Sequence, residues 1–210
     1  AIIRVRSCPN YWIGSNNTTT GTSWQTAANW SDGIPSDGDN IAFAATTNTG
    51  NNGQDAANDL ILDNYYTVGD MTNNSGKKLI IPTSTGLTVN GSIVTNDAVG
   101  DKIYIKSEPE KINGTLIFHN PSTSGVKATV EMYSKAYIDS SPTAADNQRY
   151  FWQYFGIPVE TLDADPTLYG AYVRRSNEAG TDQDENYYWK ELGTYDKLTK
   201  FLGYEICQPA

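Results

Sequence analysis

The sequence predicts an all-β fold: a short, irregular, right-handed parallel β-helix (a solenoid) with an appended antiparallel β region. Three observations predict this class. The apolar residues come in bursts of two or three, which is the pattern of short strands and not of an amphipathic helix. Asn, Gly, Ser, Thr and Asp, which favour turns, separate the bursts. One series of bursts recurs after 19, 24 and 26 residues, which is about the length of one solenoid turn.

The composition fits a folded protein and excludes two classes of partner. At 210 residues, with 38% hydrophobic and 11% aromatic content, the chain is long enough to bury a sizeable core. The net charge is −9 and no run of Lys or Arg is longer than two, whereas nucleic-acid backbones are bound by clustered cations. The longest apolar runs are far shorter than the roughly 20 residues of a membrane helix. We therefore expect no nucleic-acid partner and no membrane span in this segment.

The chain divides into three predicted regions. Residues 1–45 form an aromatic cap segment, residues 46–141 form the solenoid rungs, and residues 142–210 form an aromatic-rich antiparallel β region that continues beyond the fragment. The N-terminal ten residues lack the long apolar core of a signal peptide. We expect a signal sequence to have been removed or to lie outside this segment of a longer protein.

The cap segment is predicted to be structural. It carries Trp12, Trp24 and Trp30 among turn-forming residues, and the only charged residues between Trp12 and Asp39 are Asp. Apart from a short helix over Ser23–Trp30, the segment has no helical period, yet it offers a large aromatic area, so we expect the three Trp side chains to be buried. Asp39 is expected near the end of a turn, where its carboxylate accepts local backbone N–H bonds.

Two series of apolar bursts alternate along the predicted rungs. The first is Leu60–Leu62, Leu79–Ile81, Ile103–Ile105 and Thr129–Met132, and the second is Tyr66–Val68, Leu87–Val89 and Leu116–Phe118. Corners that contain Asn and Gly lie between them, and both residues tolerate the positive φ angles that such corners need. Asn90-Gly91 and Asn113-Gly114 are also strong hairpin signals, so a β-sandwich stays open as the alternative.

After Pro142 the sequence becomes aromatic. Strands are predicted over Tyr150–Phe155, Tyr169–Arg174, Tyr187–Lys190 and Leu202–Ile206, with a short helix over Thr194–Phe201. Side chains alternate along a strand, so Tyr150, Trp152 and Tyr154 share one face. Together with Tyr188 and Trp189 they are the candidate residues for binding a sugar, because an amphipathic ring offers apolar area with a polar tip.

In their order along the chain, these features resemble a recurrent module of secreted and cell-surface proteins of Gram-negative bacteria, some of them adhesin-like. The resemblance rests on Trp12-x-Gly14, Trp24, Asn29-Trp30, Gly33, Pro35 and Gly38-Asp39, then Ile41–Phe43, Leu79–Ile81, Gly86–Gly91, Trp152–Val159 and Gly203-Tyr204. It covers most of the chain and implies a short parallel β-helix or related all-β module located outside the cytoplasm. The rungs here are fewer and less regular than those of a long β-helix. The family carries no agreed active site, so the resemblance implies no catalytic residue.

An enzyme built on a β-helix would need several carboxylates on one strand face, and no Asp or Glu recurs at one position of the central rungs. Asp163 and Asp165 are predicted to lie in a loop. The loop segment Asp182–Asn186 lacks the Gly and the Glu that complete a calcium loop. His119 is the only His and has no second ligand near it in the sequence. We therefore predict no enzyme activity, no catalytic residue, no metal and no cofactor.

The sequence thus predicts a non-catalytic structural or adhesion module of a secreted or surface-attached bacterial protein, extracellular or on the outer cell surface. The alternative is a carbohydrate-binding module that uses the exposed aromatic face, and a polysaccharide-degrading β-helix enzyme is a less favoured third. Expected partners are a glycan or a protein of a host or cell surface, and further domains of the same polypeptide. Cys8 and Cys207 lie near opposite ends, and the sequence leaves open whether they form a disulfide or two separate thiols.

Overall fold

The computed structural model describes residues 8–15, 17, 19–45, 55–95, 102–120, 126–139, 149–157, 159–177 and 188–208. The chain forms two compact units, unit 1 (Ala1–Tyr133) and unit 2 (Ser134–Ala210). The prediction of an all-β fold is confirmed, because the helices of the described ranges are one 3-10 helix, Ala27–Asn29, and one four-residue α-helix, α1 (Ala164–Thr167). Neither of these described helices is long and apolar enough to cross a membrane.

Unit 1 consists of short strands. Within its described residues these are β1 (Asn10–Trp12), β2 (Ile41–Phe43), β3 (Leu60–Ile61), β4 (Tyr65–Val68), β5 (Met71–Asn73), β6 (Leu79–Ile81), β7 (Gly86–Val89), β8 (Ile93–Thr95), β9 (Ile103–Ile105), β10 (Thr115–Phe118) and β11 (Thr129–Val130). Each strand has two to four residues, and after most of them a Gly, Asn, Asp, Ser or Pro follows within two residues and turns the chain.

The strands of unit 1 form three parallel sheets. Sheet 1 is ordered β1-β2-β5-β8, sheet 2 is ordered β3-β6-β9-β11, and sheet 3 is ordered β4-β7-β10. From β2 to β10 the chain passes through sheets 1, 2 and 3 in rotation. The two apolar series of the sequence lie in sheets 2 and 3, one series to each sheet, whereas sheet 1 belongs to neither series.

The parallel register stacks equivalent side chains into columns. Leu60 pairs with Leu79, and Leu79 pairs with Ile103, and all three are fully buried. Val68 and Val89 form a second buried column in sheet 3. Burying one such side chain stabilises the fold by about 1.5–3 kcal/mol, so the columns contribute much of the stability of unit 1.

A column of polar groups runs along one corner of unit 1. Asn40 Oδ1 accepts a hydrogen bond from the Asp70 N–H at 2.8 Å, and Asp70 Oδ1 accepts one from the Ser92 N–H at 2.7 Å. Gly91 fits here because it has no side chain, since a Cβ atom at this position would lie 2.1 Å from Asp70 Oδ1. Asn90-Gly91 is therefore a corner between β7 and β8, which belong to different sheets, and not a hairpin.

Unit 2 is built from antiparallel pairs. Its described strands are β12 (Tyr137–Asp139), β13 (Arg149–Phe151), β14 (Gln153–Phe155), β15 (Thr161–Asp163), β16 (Tyr172–Ser176), β17 (Trp189–Glu191), β18 (Lys197–Thr199) and β19 (Tyr204–Cys207). Strand β12 pairs with β13, and β15 pairs with β18. The remaining four strands form a sheet ordered β14-β19-β16-β17, in which β19, the last described strand of the chain, is an inner strand.

Strand β18 occupies residues for which the sequence predicted a helix, so the prediction of a helix over Thr194–Phe201 is wrong. Leu198 is fully buried in the core of unit 2, and it pairs with Leu162 of β15. Pairing with a neighbouring strand and burial of one alternate residue therefore outweigh the local helix propensity of this segment.

Candidate functional site

The strongest candidate for a ligand surface is one face of the four-stranded sheet in unit 2. The cross-strand register places Tyr154, Glu205, Arg174 and Glu191 side by side, because paired residues of neighbouring strands point to the same face. The opposite face packs into the core of unit 2, where Ile206 is fully buried. The first face is therefore the one that the core of unit 2 does not use.

Six side chains in contact with one another follow this face, and we call them the aromatic strip: Tyr172, Tyr150, Trp152, Arg174, Trp189 and Tyr154.

The strip is held together by ring stacking and cation–π contacts. The Tyr150 ring lies 5.7 Å from the Trp152 ring at an interplanar angle of 20°, and it meets the Tyr172 ring edge to face at 6.1 Å. The Arg174 guanidinium carbon lies 3.9 Å from the centre of the Trp152 ring and 6.0 Å from that of Trp189. Aromatic and cation–π contacts of this kind each add about 0.5–1.5 kcal/mol, so the six side chains support one another.

Arg174 is held in place by Glu205. Arg174 Nη2 forms an ion pair with Glu205 Oε1, and the Glu205 side chain is only 2% exposed. Removing a carboxylate from water costs several kcal/mol, so Glu205 needs the guanidinium as its partner. Within the described residues, Arg174 Nε makes no hydrogen bond. The ion pair therefore sets the position of Arg174 and, through the stacking contact, that of Trp152.

The accessible ring area lies at the ends of the strip. Tyr154 is 70% exposed at one end, and Tyr172 and Tyr150 are 45% and 41% exposed at the other. Trp152 and Trp189, nearer the middle, are half-buried. The rings stand against one another and do not form a flat row, so a ligand would reach the end Tyr rings more readily than the central Trp rings.

Four of the five residues predicted for the aromatic face lie together in the strip: Tyr150, Trp152, Tyr154 and Trp189. The fifth, Tyr188, precedes β17, is 70% exposed, and accepts a hydrogen bond from the Asn177 N–H through its carbonyl. Tyr187 and the acidic segment Asp182–Asn186 lie outside the described residues.

Sequence reasoning missed Arg174 and Glu205 as parts of this site, and it left Tyr172 out of the predicted aromatic face. The alternation of side chains within the predicted strands could have placed Tyr172 and Arg174 on one face. No local pattern identifies Glu205 as the partner of Arg174, because the two strands are brought together only by the fold.

The three Trp side chains of the cap segment are buried: Trp12 is 0%, Trp24 is 1% and Trp30 is 3% exposed. Trp30 meets both other rings edge to face, at 5.1 Å from Trp12 and 4.8 Å from Trp24. Trp12 Nε1 donates a hydrogen bond to the Asn58 carbonyl at 2.9 Å, which attaches the segment to the chain before β3. Asp39 Oδ2 accepts a hydrogen bond from the Ser36 N–H at 2.9 Å. This arrangement supports the fold and offers no exposed ring.

Tyr66 joins the cap segment to strand β4. Its ring stacks on Trp24 at 4.2 Å, and its hydroxyl donates to Asp63 Oδ1 at 2.5 Å and accepts from Gln25 Nε2 at 2.7 Å. Burial, followed by the hydrogen bond to Asp63, raises the pKa of Tyr66 to about 12. The hydroxyl is therefore a neutral structural group and not a general acid or base near neutral pH.

The two cysteines are free thiols. Cys8 is exposed, whereas Cys207 is buried and donates a hydrogen bond from Sγ to the Tyr137 carbonyl at 3.3 Å. Burial raises the pKa of the Cys207 thiol, so little of it is present as the thiolate that a nucleophilic cysteine requires.

The described residues offer little that could catalyse hydrolysis. In that part of the chain, no group of three or more His, Cys, Asp or Glu side chains could hold a metal ion. A cavity of about 170 Å³ in unit 2 is lined by Leu168, Tyr169, Leu192 and Thr194 among others, and Asp165 is the one carboxylate in its lining. Asp163 forms an ion pair with Lys197 instead of facing this cavity beside Asp165. A glycosidase needs two carboxylates on opposite sides of the scissile bond, and this cavity has one.

Comparisons with known proteins point to a subunit of a surface appendage. No protein-family model matches the chain, and no solved structure matches it. The chain is similar to the minor fimbrium subunit Mfa5 of Porphyromonas gingivalis (strain ATCC 33277), with 36% identity over 214 residues. The alignment covers 94% of this chain, which spans about 16% of the length of the relative. The similarity thus concerns one segment of a much longer fimbrium subunit.

Proposed function

We propose that this chain is a non-catalytic structural or adhesion module of a surface appendage subunit, located outside the cell that makes it. The observation that carries the proposal is the 36% identity to a minor fimbrium subunit over 94% of the chain. The proposed partners are other domains of the same polypeptide and other subunits of the appendage.

We infer that unit 1 is a short right-handed parallel β-helix. Three features support this inference: the chain passes through three parallel sheets in rotation, equivalent strands pair in register, and like side chains stack in columns. The right hand follows the strong preference of parallel β crossovers. In a β-sandwich, by contrast, β7 and β8 would pair as an antiparallel hairpin across Asn90-Gly91. An experimental structure with that pairing would contradict the inference.

Immunogold electron microscopy of intact producing cells tests the location and the structural role. Antibodies raised against the 210-residue chain are expected to label the appendages along their length or at their tips. Cells from which the gene segment encoding this chain is deleted provide the control for antibody specificity. Gold confined to the cell interior, or spread over the cell body of cells that bear appendages, would contradict the proposal.

Activity assays on the purified chain test the proposal that it is non-catalytic. We expect no turnover of pectin, alginate, glycosaminoglycan or glucan, with or without calcium, in assays for reducing ends and for unsaturated products. A reproducible product that disappears on Asp165→Asn substitution would point to an enzyme that uses the cavity of unit 2.

A carbohydrate-binding role is the second candidate, and the exposed Tyr rings of the aromatic strip are the observation that favours it. It is compatible with an adhesion module, since a surface appendage that adheres needs a ligand-binding face.

A further inference from the structure

We propose that the aromatic strip binds a neutral oligosaccharide, with the two exposed ends of the strip contacting successive sugar rings and Arg174 donating hydrogen bonds between them. This inference rests on the adhesion role proposed above and names its ligand class, its contact residues and its central donor.

The exposed ring area of the strip lies at its two ends. Tyr154 lies at one end of the strip and is 70% exposed, and Tyr172 and Tyr150 lie at the other end and are 45% and 41% exposed. Pyranose rings present apolar C–H faces that pack on aromatic side chains, while their hydroxyls need polar partners. Two separate aromatic ends suit a ligand with at least two sugar rings and would bind a single small apolar molecule less well.

A polar group, the Arg174 guanidinium, lies between the two ends. The Arg174 side chain is 29% exposed, and its position is set by the ion pair to Glu205 and by the stacking contact with Trp152. A donor whose position is already fixed loses little conformational entropy when it binds a ligand oxygen. A hydrogen bond from Arg174 to the ligand therefore costs less conformational entropy than one from a freely rotating surface Arg.

The charge of this face decides between classes of ligand. Among the described residues at the register positions of this face, the charged ones are Arg174, Glu205 and Glu191, so one cation stands beside two carboxylates. Glu205 already neutralises Arg174, and Glu191, opposite Arg174 on β17, is exposed. A sialylated, uronate or sulfated glycan would meet like charge here, and so would a nucleic acid. The face is thus complementary to an uncharged sugar chain.

The two central Trp residues, which the sequence predicts as sugar-binding residues, take a different role because they are half-buried. Trp152 lies between Tyr150 and Arg174, and Trp189 lies between Arg174 and Tyr154. We therefore assign Trp152, Trp189 and Glu205 as positioning residues, and Tyr154, Tyr172 and Tyr150 as contact residues.

Isothermal titration calorimetry of the purified 210-residue chain tests the proposal. The probes are four neutral tetrasaccharides (cellotetraose, maltotetraose, mannotetraose and chitotetraose) and two acidic ones (tetragalacturonate and a hyaluronan tetrasaccharide). At least one neutral probe is expected to bind with a Kd between about micromolar and millimolar, because a few ring contacts must offset the cost of association. Both acidic probes are expected to bind more weakly.

The substitutions Tyr154→Ala and Tyr172→Ala are each expected to weaken binding about tenfold, the typical effect of removing one aromatic contact. Tyr154→Trp should retain binding, since it keeps an aromatic ring at the same place. Tyr195→Ala is the matched control, because Tyr195 is 98% exposed but lies outside the strip. Near-UV circular dichroism confirms that each variant keeps the parent fold before its affinity is compared.

Three results would overturn the proposal. The first is that no neutral probe binds at about ten millimolar. The second is binding that survives both Tyr→Ala substitutions, and the third is tighter binding of the acidic probes. If the strip instead contacts a protein subunit, no sugar will bind and the same Tyr variants will impair appendage assembly. The calorimetry needs only the isolated chain, so its failure leaves the immunogold test of the proposed function unaffected.

Discussion

Glu205 is a buried carboxylate of unit 2, and because its side chain is only 2% exposed it needs a cation beside it. The cation comes from Arg174, which also supports Trp152 by stacking. One substitution at Arg174 therefore removes a charge partner and a packing partner together.

Arg174→Met is expected to destabilise unit 2 by about 3–5 kcal/mol, because it leaves Glu205 buried without a partner. The double variant Arg174→Met with Glu205→Met should recover most of this loss, since two apolar side chains can share the same space. Urea denaturation of the parent, both single variants and the double variant measures the coupling. Strictly additive effects of the two substitutions would contradict the role of the ion pair.

The raised pKa of Tyr66 predicts how the stability of the folded chain changes at alkaline pH. Its pKa is raised from about 10 to about 12 in the folded state, so folding favours the neutral phenol. This stabilising contribution is complete below pH 10 and is lost as the pH rises from 10 towards 12. The free energy of unfolding of the parent, minus that of Tyr66→Phe, should therefore fall across this range. Denaturant titrations at several pH values measure the difference, which would stay constant if the Tyr66 hydroxyl were fully solvated.

At the scale of elements, the strands of unit 1 are too short to hold themselves in place, and the corners between them maintain the register. In the column Asn40, Asp70 and Ser92, a side-chain oxygen of one corner accepts a backbone N–H of the next. Gly91 is required at this corner because the Asp70 side chain leaves no room for a Cβ atom, and not only because the chain turns there.

Gly91→Ala tests this interpretation of the corner. A Cβ atom at Gly91 would lie 2.1 Å from Asp70 Oδ1, so the substitution is expected to destabilise unit 1 by about 1–3 kcal/mol. Its cost should be smaller in an Asp70→Ala background, where the clashing carboxylate is absent. Gly76→Ala is the control, since a Cβ atom there has no neighbour within 4 Å. Equal costs of Gly91→Ala in both backgrounds, measured by thermal unfolding, would show that the carboxylate is not the cause.

At the scale of the whole molecule, the chain has two separate hydrophobic cores. The first contains Trp12, Trp24 and Trp30 with the columns of unit 1, and the second contains Val173, Leu198 and Ile206. No residue belongs to both cores among those that the structure describes. Each unit therefore has its own source of stability.

We expect the two units to unfold at different denaturant concentrations. Hydrogen-exchange mass spectrometry at increasing concentrations of guanidinium chloride follows peptides from each unit in the intact chain. Peptides covering β3–β10 should lose protection at one midpoint, and those covering β14–β19 at another. A single midpoint shared by all peptides would show that the two cores unfold as one cooperative system.

The sequence was informative where a pattern repeats along the chain and uninformative where the fold joins distant residues. The bursts at Leu60 and Leu79 predict neighbouring strands, and the alternation of Tyr150, Trp152 and Tyr154 predicts a shared face. Sheet 1 was not predicted, because its strand β5 (Met71–Asn73) mixes apolar and polar residues and shows no burst. The site is likewise incomplete in the sequence, since Arg174 and Glu205 meet only when β16 and β19 pair.

The position of β19 has a consequence for the order in which the chain can fold as it leaves the ribosome or a secretion channel. In unit 1, each strand after the first of its sheet pairs with one that lies 19 to 31 residues earlier, so a new turn can be added soon after it emerges. In unit 2, β14 and β16 have no common neighbour until Tyr204–Cys207 arrives between them. Unit 1 can therefore grow step by step during synthesis, whereas the sheet that carries the aromatic strip forms only once nearly all of the chain is available.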